Sequence, residues 1–212
     1  MYRVQTSCEQ SVKTIKKITT MKFIHIFFLL ITGSVCISQT REISAEIIKV
    51  NGDTIKSNIR VEVNIFNKNL LKEQSITKAV KIVDTSGNKT KISAKDIKKL
   101  TFTDFNDSKR IFVSDGKSMR EMIYENILKC YIYYTANPYD GSKVVQMEFY
   151  DEDGKRVTSP PFTTSTRTLK KAVKEKPELV EIIEKAPVVN NEIIRLVLKK
   201  YEDDYLMSKK TN

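Results

Sequence analysis

The chain has 212 residues, about 40% of them apolar and 30% charged, with no Trp and only six Gly and five Pro. This length suits one domain, and the composition excludes wholesale disorder and collagen-like or low-complexity material. The formal net charge is +11. Residues 1–38 carry Arg3, Lys13, Lys16, Lys17 and Lys22 against Glu9, and without them 32 bases face 25 acids, a net +7. That excess is spread as single lysines among apolar residues, the pattern of a solvated surface and not of a nucleic-acid footprint.

From Met21 the chain reads as an export signal. Met-Lys is followed by the apolar run Phe23-Ile-His-Ile-Phe-Phe-Leu-Leu-Ile31 and then by small residues. A basic start, an apolar core and small residues two apart are the layout of a signal peptide. Cys36 and Ser38 occupy the −3 and −1 positions, which places the cut before Gln39. The apolar stretch of about 13 residues is too short to span a bilayer as a helix, so no transmembrane anchor is expected. Residues 1–20 form a long basic extension, or translation starts at Met21. A lipid-anchored alternative hangs on Cys36, but Gly33-Ser34-Val35-Cys36 departs from a lipobox at both ends of the preceding triplet.

The mature chain opens as a β-hairpin. Ile43, Ala45 and Ile47 alternate with polar residues up to Asn51-Gly52-Asp53, a tight-turn sequence. Ile55, Ser57, Ile59, Val61, Val63 and Ile65 then continue with period two, which sets one face inward and one in water. The same grammar recurs. Ala79–Val83 and Lys89–Ile92 flank Thr85-Ser86-Gly87-Asn88, and Leu100 and Phe102 lead to the turn Asp104–Asp107. Lys109–Val113 ends at Asp115-Gly116. Leu128, Cys130, Ile132 and Tyr134 share one strand face, with Lys129, Tyr131 and Tyr133 on the other. Val145, Met147 and Phe149 precede Asp151-Glu152-Asp153-Gly154. Strands at intervals of roughly 8–12 residues indicate an antiparallel sandwich or open barrel.

The texture changes at Pro160-Pro161. Thr163–Thr168 reads as a polar loop, and helix formers follow. Pro177 with Glu178 suits a helix first turn. Pro187 ends that segment, and Asn190 or Asn191 can cap the next, whose apolar face is Ile193, Ile194, Val197, Leu198 and Tyr201. Lys209–Asn212 reads as a frayed tail. The expected fold class is α+β: a mostly antiparallel sheet over 39–160 behind the segment 1–38, and a helical segment 161–212 packed on the same domain.

The run Ile47-Ile48-Lys49-Val50-Asn51-Gly52-Asp53-Thr54-Ile55-Lys56-Ser57-Asn58-Ile59 resembles the opening hairpin of uncharacterised secreted proteins common in Bacteroidetes. The Lys95-Asp96-Ile97-Lys98 step and the Tyr-rich strand around Tyr131 are similar too. The likeness covers about residues 43–204, with Ser57 where that pattern often has Gly and with a different chain end. It implies export and a β-rich fold, and it brings no activity.

The only histidine, His25, lies in the signal segment, and Cys130 is the only cysteine after it. Ser-His-Asp and Cys-His nucleophile systems are therefore excluded in their usual form. The commonest zinc and copper ligands are missing as well, and no metal or cofactor is expected. Carboxylate chemistry stays open, since glycosidases need only two suitably spaced acids. The candidates Asp84, Asp96, Asp104, Asp107, Asp115, Asp151 and Asp153 nearly all fall in turns, where Asp is expected for its own backbone bonding. Asp151-Glu152-Asp153-Gly154 is likewise read as a turn, because the later ligands of a calcium loop are missing. Cys130, between Leu128 and Ile132, reads as core.

The best binding candidates are Tyr131, Tyr133, Tyr139 and Tyr150, whose rings can stack on sugar or grip a protein. The expected function is that of an exported, non-catalytic binding or structural domain of the envelope or extracellular space. Its partner is an envelope protein or a glycan, and a carboxylate-dependent polysaccharide hydrolase is the alternative. Export is tested on protein from the native host: the soluble exported fraction should begin at Gln39 by intact mass and N-terminal sequencing. An intact N-terminus in the cytoplasm overturns it.

Overall fold

A computed structural model describes residues 39–84, 86–157 and 164–211. The expected export signal with Ser38, and the Pro160-Pro161 step, lie outside the described residues. Gln39–Asn212 forms one compact unit.

Nine antiparallel strands make a single sheet, so the fold is α+β with one sheet in place of a sandwich. They are β1 (Thr40–Lys49), β2 (Thr54–Glu62), β3 (Ala79–Val83), β4 (Lys89–Ser93), β5 (Ile97–Thr103), β6 (Lys109–Ser114), β7 (Met119–Glu125), β8 (Lys129–Ala136) and β9 (Lys143–Tyr150). A four-residue helix α1 (Gln74–Thr77) follows β2, and α2 (Ser165–Ala172), α3 (Pro177–Lys185) and α4 (Asn191–Thr211) close the chain. The strand order β4-β3-β2-β1-β5-β6-β7-β8-β9 puts β1 between two meanders. Ile43 pairs with Ile59 and Ile47 with Ile55 across the first hairpin, while Ile47 faces Leu100 on the other side. The hairpin turns at Gly52, whose φ of 94° is open to glycine and costly for other residues.

Two connections require the sheet to curl. Only Ala94–Asp96 separates β4 from β5, although three strands lie between them in the sheet. Four strand spacings in a flat sheet are about 19 Å, more than the roughly 14 Å that four extended residues reach. On the other side, Lys143 at the start of β9 reaches Glu73, just beyond β2, at 3.3 Å. Those strands are six steps apart in sheet order, about 29 Å if flat. The sheet therefore wraps around a core, and α1 packs inside the curl against β2, β3, β7 and β8.

Period two decides what faces inward. Phe102 and Phe112 stack with centroids 5.7 Å apart, and Tyr134 lies 6.5 Å from Phe112. Leu100, Met119, Cys130 and Phe149 complete a fully buried layer, which Leu169, Leu179, Ile183, Ile194 and Val197 of the helices join in one cluster. Burial pushes the Cys130 thiol up, consistent with its place in the core. The last helix is tied to β7 by Arg195 Nε donating to the Ile123 carbonyl at 3.3 Å and by Asn126 Nδ2 donating to Glu202 at 2.9 Å.

Three expectations are corrected. The second strand stops at Glu62: Val63 makes one isolated bridge to Leu71, and Ile65 is exposed in a loop. The apparent loop at Thr164–Thr168 is the start of α2, with the Thr164 hydroxyl accepting from Arg167 N at 3.3 Å. A threonine cap reads as loop chemistry from composition alone, because the same side-chain bonding serves both. Lys209 and Lys210 continue α4 to Thr211, where basic residues suit the negative end of the helix dipole. The strand β7 has no clear alternation in the sequence, because its inward position 121 is Glu and breaks the apolar pattern. Asn190 does cap α4, its Oδ1 accepting from Glu192 N at 3.1 Å and Ile193 N at 3.0 Å.

Phe112 is the ring on which the inner layer closes. Phe112→Ala is expected to lower unfolding free energy by about 3–5 kcal/mol in urea titration, with little change in m-value.

Candidate functional site

Arg110 occupies the inward face of β6, opposite Phe102 and two residues before Phe112. An arginine at such a position must find partners, since a buried unpaired charge is strongly unfavourable. Its side chain is 13% exposed and meets three carboxylates. Glu121, inward on β7, receives Nε on one oxygen and Nη2 at 2.6 Å on the other. Asp104, at the β5–β6 turn, takes Nη1 at 3.3 Å, and Glu73, just before α1, takes Nη2 at 3.2 Å. The Tyr134 hydroxyl donates to Glu121, and Lys143 donates to the second oxygen of Glu73 at 3.3 Å. Burial opposes the Arg110 charge, but the bond and charge of Glu121, with Tyr134 and Glu73, outweigh it and hold the guanidinium protonated more firmly than usual. Burial, reinforced by Glu121, pushes the Tyr134 hydroxyl up, so it stays a donor.

Above this cluster opens a cleft of about 520 Å³. Its walls come from three connections: the β2–α1 loop (Asn64, Asn69 and Leu70 to Ser75), the β5–β6 turn (Asp104 and Asn106) and the β8–β9 loop (Ala136 and Gly141, leading to Lys143). Glu62 and Arg110 complete the lining. The loops are held by the side-chain chemistry of Asn and Asp. Asn64 Oδ1 accepts from Phe66 N at 2.8 Å, Asn67 Oδ1 from Asn69 N at 3.0 Å, and Asn137 Oδ1 from Tyr139 N at 3.0 Å. Arg41 stacks over Phe105 at 3.7 Å and donates to the Lys68 carbonyl at 3.1 Å, and Asn106 Nδ2 donates to the Asn69 carbonyl at 3.2 Å. Two of the loops are thereby fastened to each other.

The tyrosine candidates divide. Tyr131 and Tyr150 come together on the outer face of β8 and β9, edge to face at 5.8 Å. With Arg120, Lys129 and Asp115 they line a shallow groove of about 280 Å³. Arg120 Nη1 donates to the Tyr150 hydroxyl at 2.9 Å and to Glu148 at 2.7 Å, Arg156 reaches Glu148 at 3.1 Å, and Arg120 also pairs with Asp115. Burial raises the Asp115 carboxyl, but amide bonds from Lys117 and Ser118 and the Arg120 charge outweigh it and hold it below the ordinary range. Tyr133 lies further along the same face, opposite Gln146. Tyr139 is apart from them, on the β8–β9 loop beside the cleft, and 96% exposed.

The turn acids also divide. Asp84 and Asp151 bond their own turns, accepting from Ser86 N and Lys155 N respectively. Asp104 does both jobs: Oδ1 accepts from Asn106 N at 2.9 Å and Ser108 N at 3.0 Å, while Oδ2 faces Arg110. Glu73, Arg110, Glu121 and Lys143 were not anticipated as site residues. The available signal was a charged residue at an inward strand position, twice over, at Arg110 and Glu121. Among the described residues, no group of three or more His, Cys, Asp or Glu side chains is placed to hold a metal ion, and no helix is long and apolar enough to cross a membrane. Comparison of the chain with protein-family models, with curated proteins and with solved structures finds no match.

The cluster makes a stability prediction. Arg110→Met leaves three acids without their common partner and is expected to cost about 3–5 kcal/mol in chemical unfolding. Adding Glu121→Gln should recover part of that loss, since the most buried of the three charges is then gone.

Proposed function

We propose that the protein is an exported, non-catalytic binding domain of the cell envelope or extracellular space, and that the cleft above Arg110 is its binding site. The observation that carries this reading is the state of the acids. Of the three acids that line the cleft, Glu73 and Asp104 already accept on both oxygens from Arg110, Lys143 or turn amides, as Glu121 beneath them does from Arg110 and Tyr134, which leaves Glu62 as the one lining carboxylate outside the network. A glycosidase needs one carboxyl free to hand over a proton and a second facing water or the sugar carbon. Here three acids share the counter-ion Arg110 and Glu62 alone stands outside that network, one carboxyl where hydrolysis needs two, which favours a rigid recognition surface. The position of the cleft supports the same reading: loops held by a sheet are where binding surfaces are built. Export rests on the signal layout before Gln39 and on the resemblance of the first hairpin to secreted proteins.

The test is incubation of the exported protein with surface polysaccharide and envelope-protein fractions of its host. Both co-sedimentation and release of reducing ends are followed. Retention without release is the expected result. Release that Glu73→Gln abolishes would make the protein a hydrolase, and neither retention nor release would remove the binding reading.

A further inference from the structure

We infer that the cleft takes a neutral, hydroxyl-rich saccharide segment, flanked by Phe66 and Tyr139 as stacking platforms. This deepens the binding reading above and rests on it.

The first argument is charge. The lining holds three acids, Glu62, Glu73 and Asp104, against three bases, Lys72, Arg110 and Lys143. A balanced cleft gives neither a polyanion nor a cation a net attraction, since each partner it would gain sits beside one that repels it. The second argument is hydrogen-bond type. Each sugar hydroxyl both donates and accepts, so its site must offer both kinds of group within reach. The amide of Gln74 does this alone, while Asn64 Nδ2 adds a donor and Asn106 Oδ1 and Glu62 add acceptors, their other groups being held within the loops.

The third argument is the rim. Phe66 and Tyr139 are 92% and 96% exposed, the two highest values among the exposed large hydrophobic side chains of the described residues. Single exposed apolar residues are ordinary, but these two sit on different loops that border the same cleft. Phe66 lies between Asn64 and Asn69, and Tyr139 between Ala136 and Gly141, all four of which line it. Both loops are fixed by internal side-chain bonds, so little ordering is lost when a ligand arrives. A flat ring on a rigid loop is suited to the C–H face of a sugar. The size agrees: about 520 Å³ lies within the range of small-ligand sites and leaves a longer chain to run out past the rings.

The experiment is calorimetric titration of the full chain with cellohexaose, maltohexaose and mannohexaose. Oligogalacturonate, a sulfated glucan and a library of extended peptides are run in parallel. Binding of at least one neutral hexasaccharide is expected. Phe66→Ala and Tyr139→Ala should each weaken it about three- to tenfold, while the exposed Val188→Ala, on the α3–α4 connection, leaves it unchanged. Both rings are in solvent, so circular dichroism should show the variants folded. Binding of the polyanions alone, or of no sugar, overturns the saccharide assignment. Binding of peptide alone also overturns it and leaves the binding reading standing. Neutral sugar bound equally by both aromatic variants overturns the placement of the site. Release of reducing ends from any probe overturns the binding reading itself.

Discussion

The wrapped sheet is held at one end by a single guanidinium. Arg110 receives Glu73 from the segment after β2, Asp104 from the β5–β6 turn and Glu121 from β7, and Glu73 passes the connection to Lys143 at the start of β9. Strands that are six steps apart in the sheet thus meet across one network. An ion network this buried gains little net stability over a well-packed apolar core, because desolvation offsets most of the attraction. What it contributes is geometry: the planar fork of arginine donates to three carboxylates only along its fixed N–H directions. The floor of the cleft and the joining of the segment after β2 to the start of β9 depend on that arrangement.

The apolar inner layer and the cleft differ in what they hold. Helix residues such as Leu169, Leu179, Ile194 and Val197 join the inner layer formed by Leu100, Phe112, Met119 and Phe149. Around Arg110 the inward positions 110 and 121 are charged among apolar neighbours, and loops rich in Asn and Asp line the cleft above them. This division separates stability from recognition. The apolar layer can be packed tightly without regard to ligand, while the loops carry exposed rings and amides on a fixed base.

Much of the strand grammar was legible. The alternation from Ile43 to Val61, the turn at Asn51-Gly52 and the inward run Leu128, Cys130, Ile132 and Tyr134 are local properties with a local readout. The site was not. Glu121 and Arg110 look like ordinary surface charges in a list of residues, and Glu121 hid its own strand by spoiling the apolar face. Asp104 was visible as a turn residue, and it is one, but its second oxygen serves a partner six residues on. Glu73 and Lys143 are 70 residues apart, and no spacing rule links them. Tyr139 was grouped with Tyr131 and Tyr150 by proximity in the chain, yet a loop takes it to the cleft while the other two pair on the sheet's outer face.

The sequence by itself determined that the chain from residue 39 is β-rich, that helices follow the strands, and that residues 39–212 hold no histidine and a single cysteine. These follow from period, turn chemistry and composition, which act over a few residues and need no partner. Only the tertiary structure decided that the strands form one wrapped sheet, that three acids share an arginine, and that two aromatic tips flank one cleft. Those outcomes depend on which distant residues the curl brings within a few ångströms, and strand order is a choice among pairings that local pattern leaves equal.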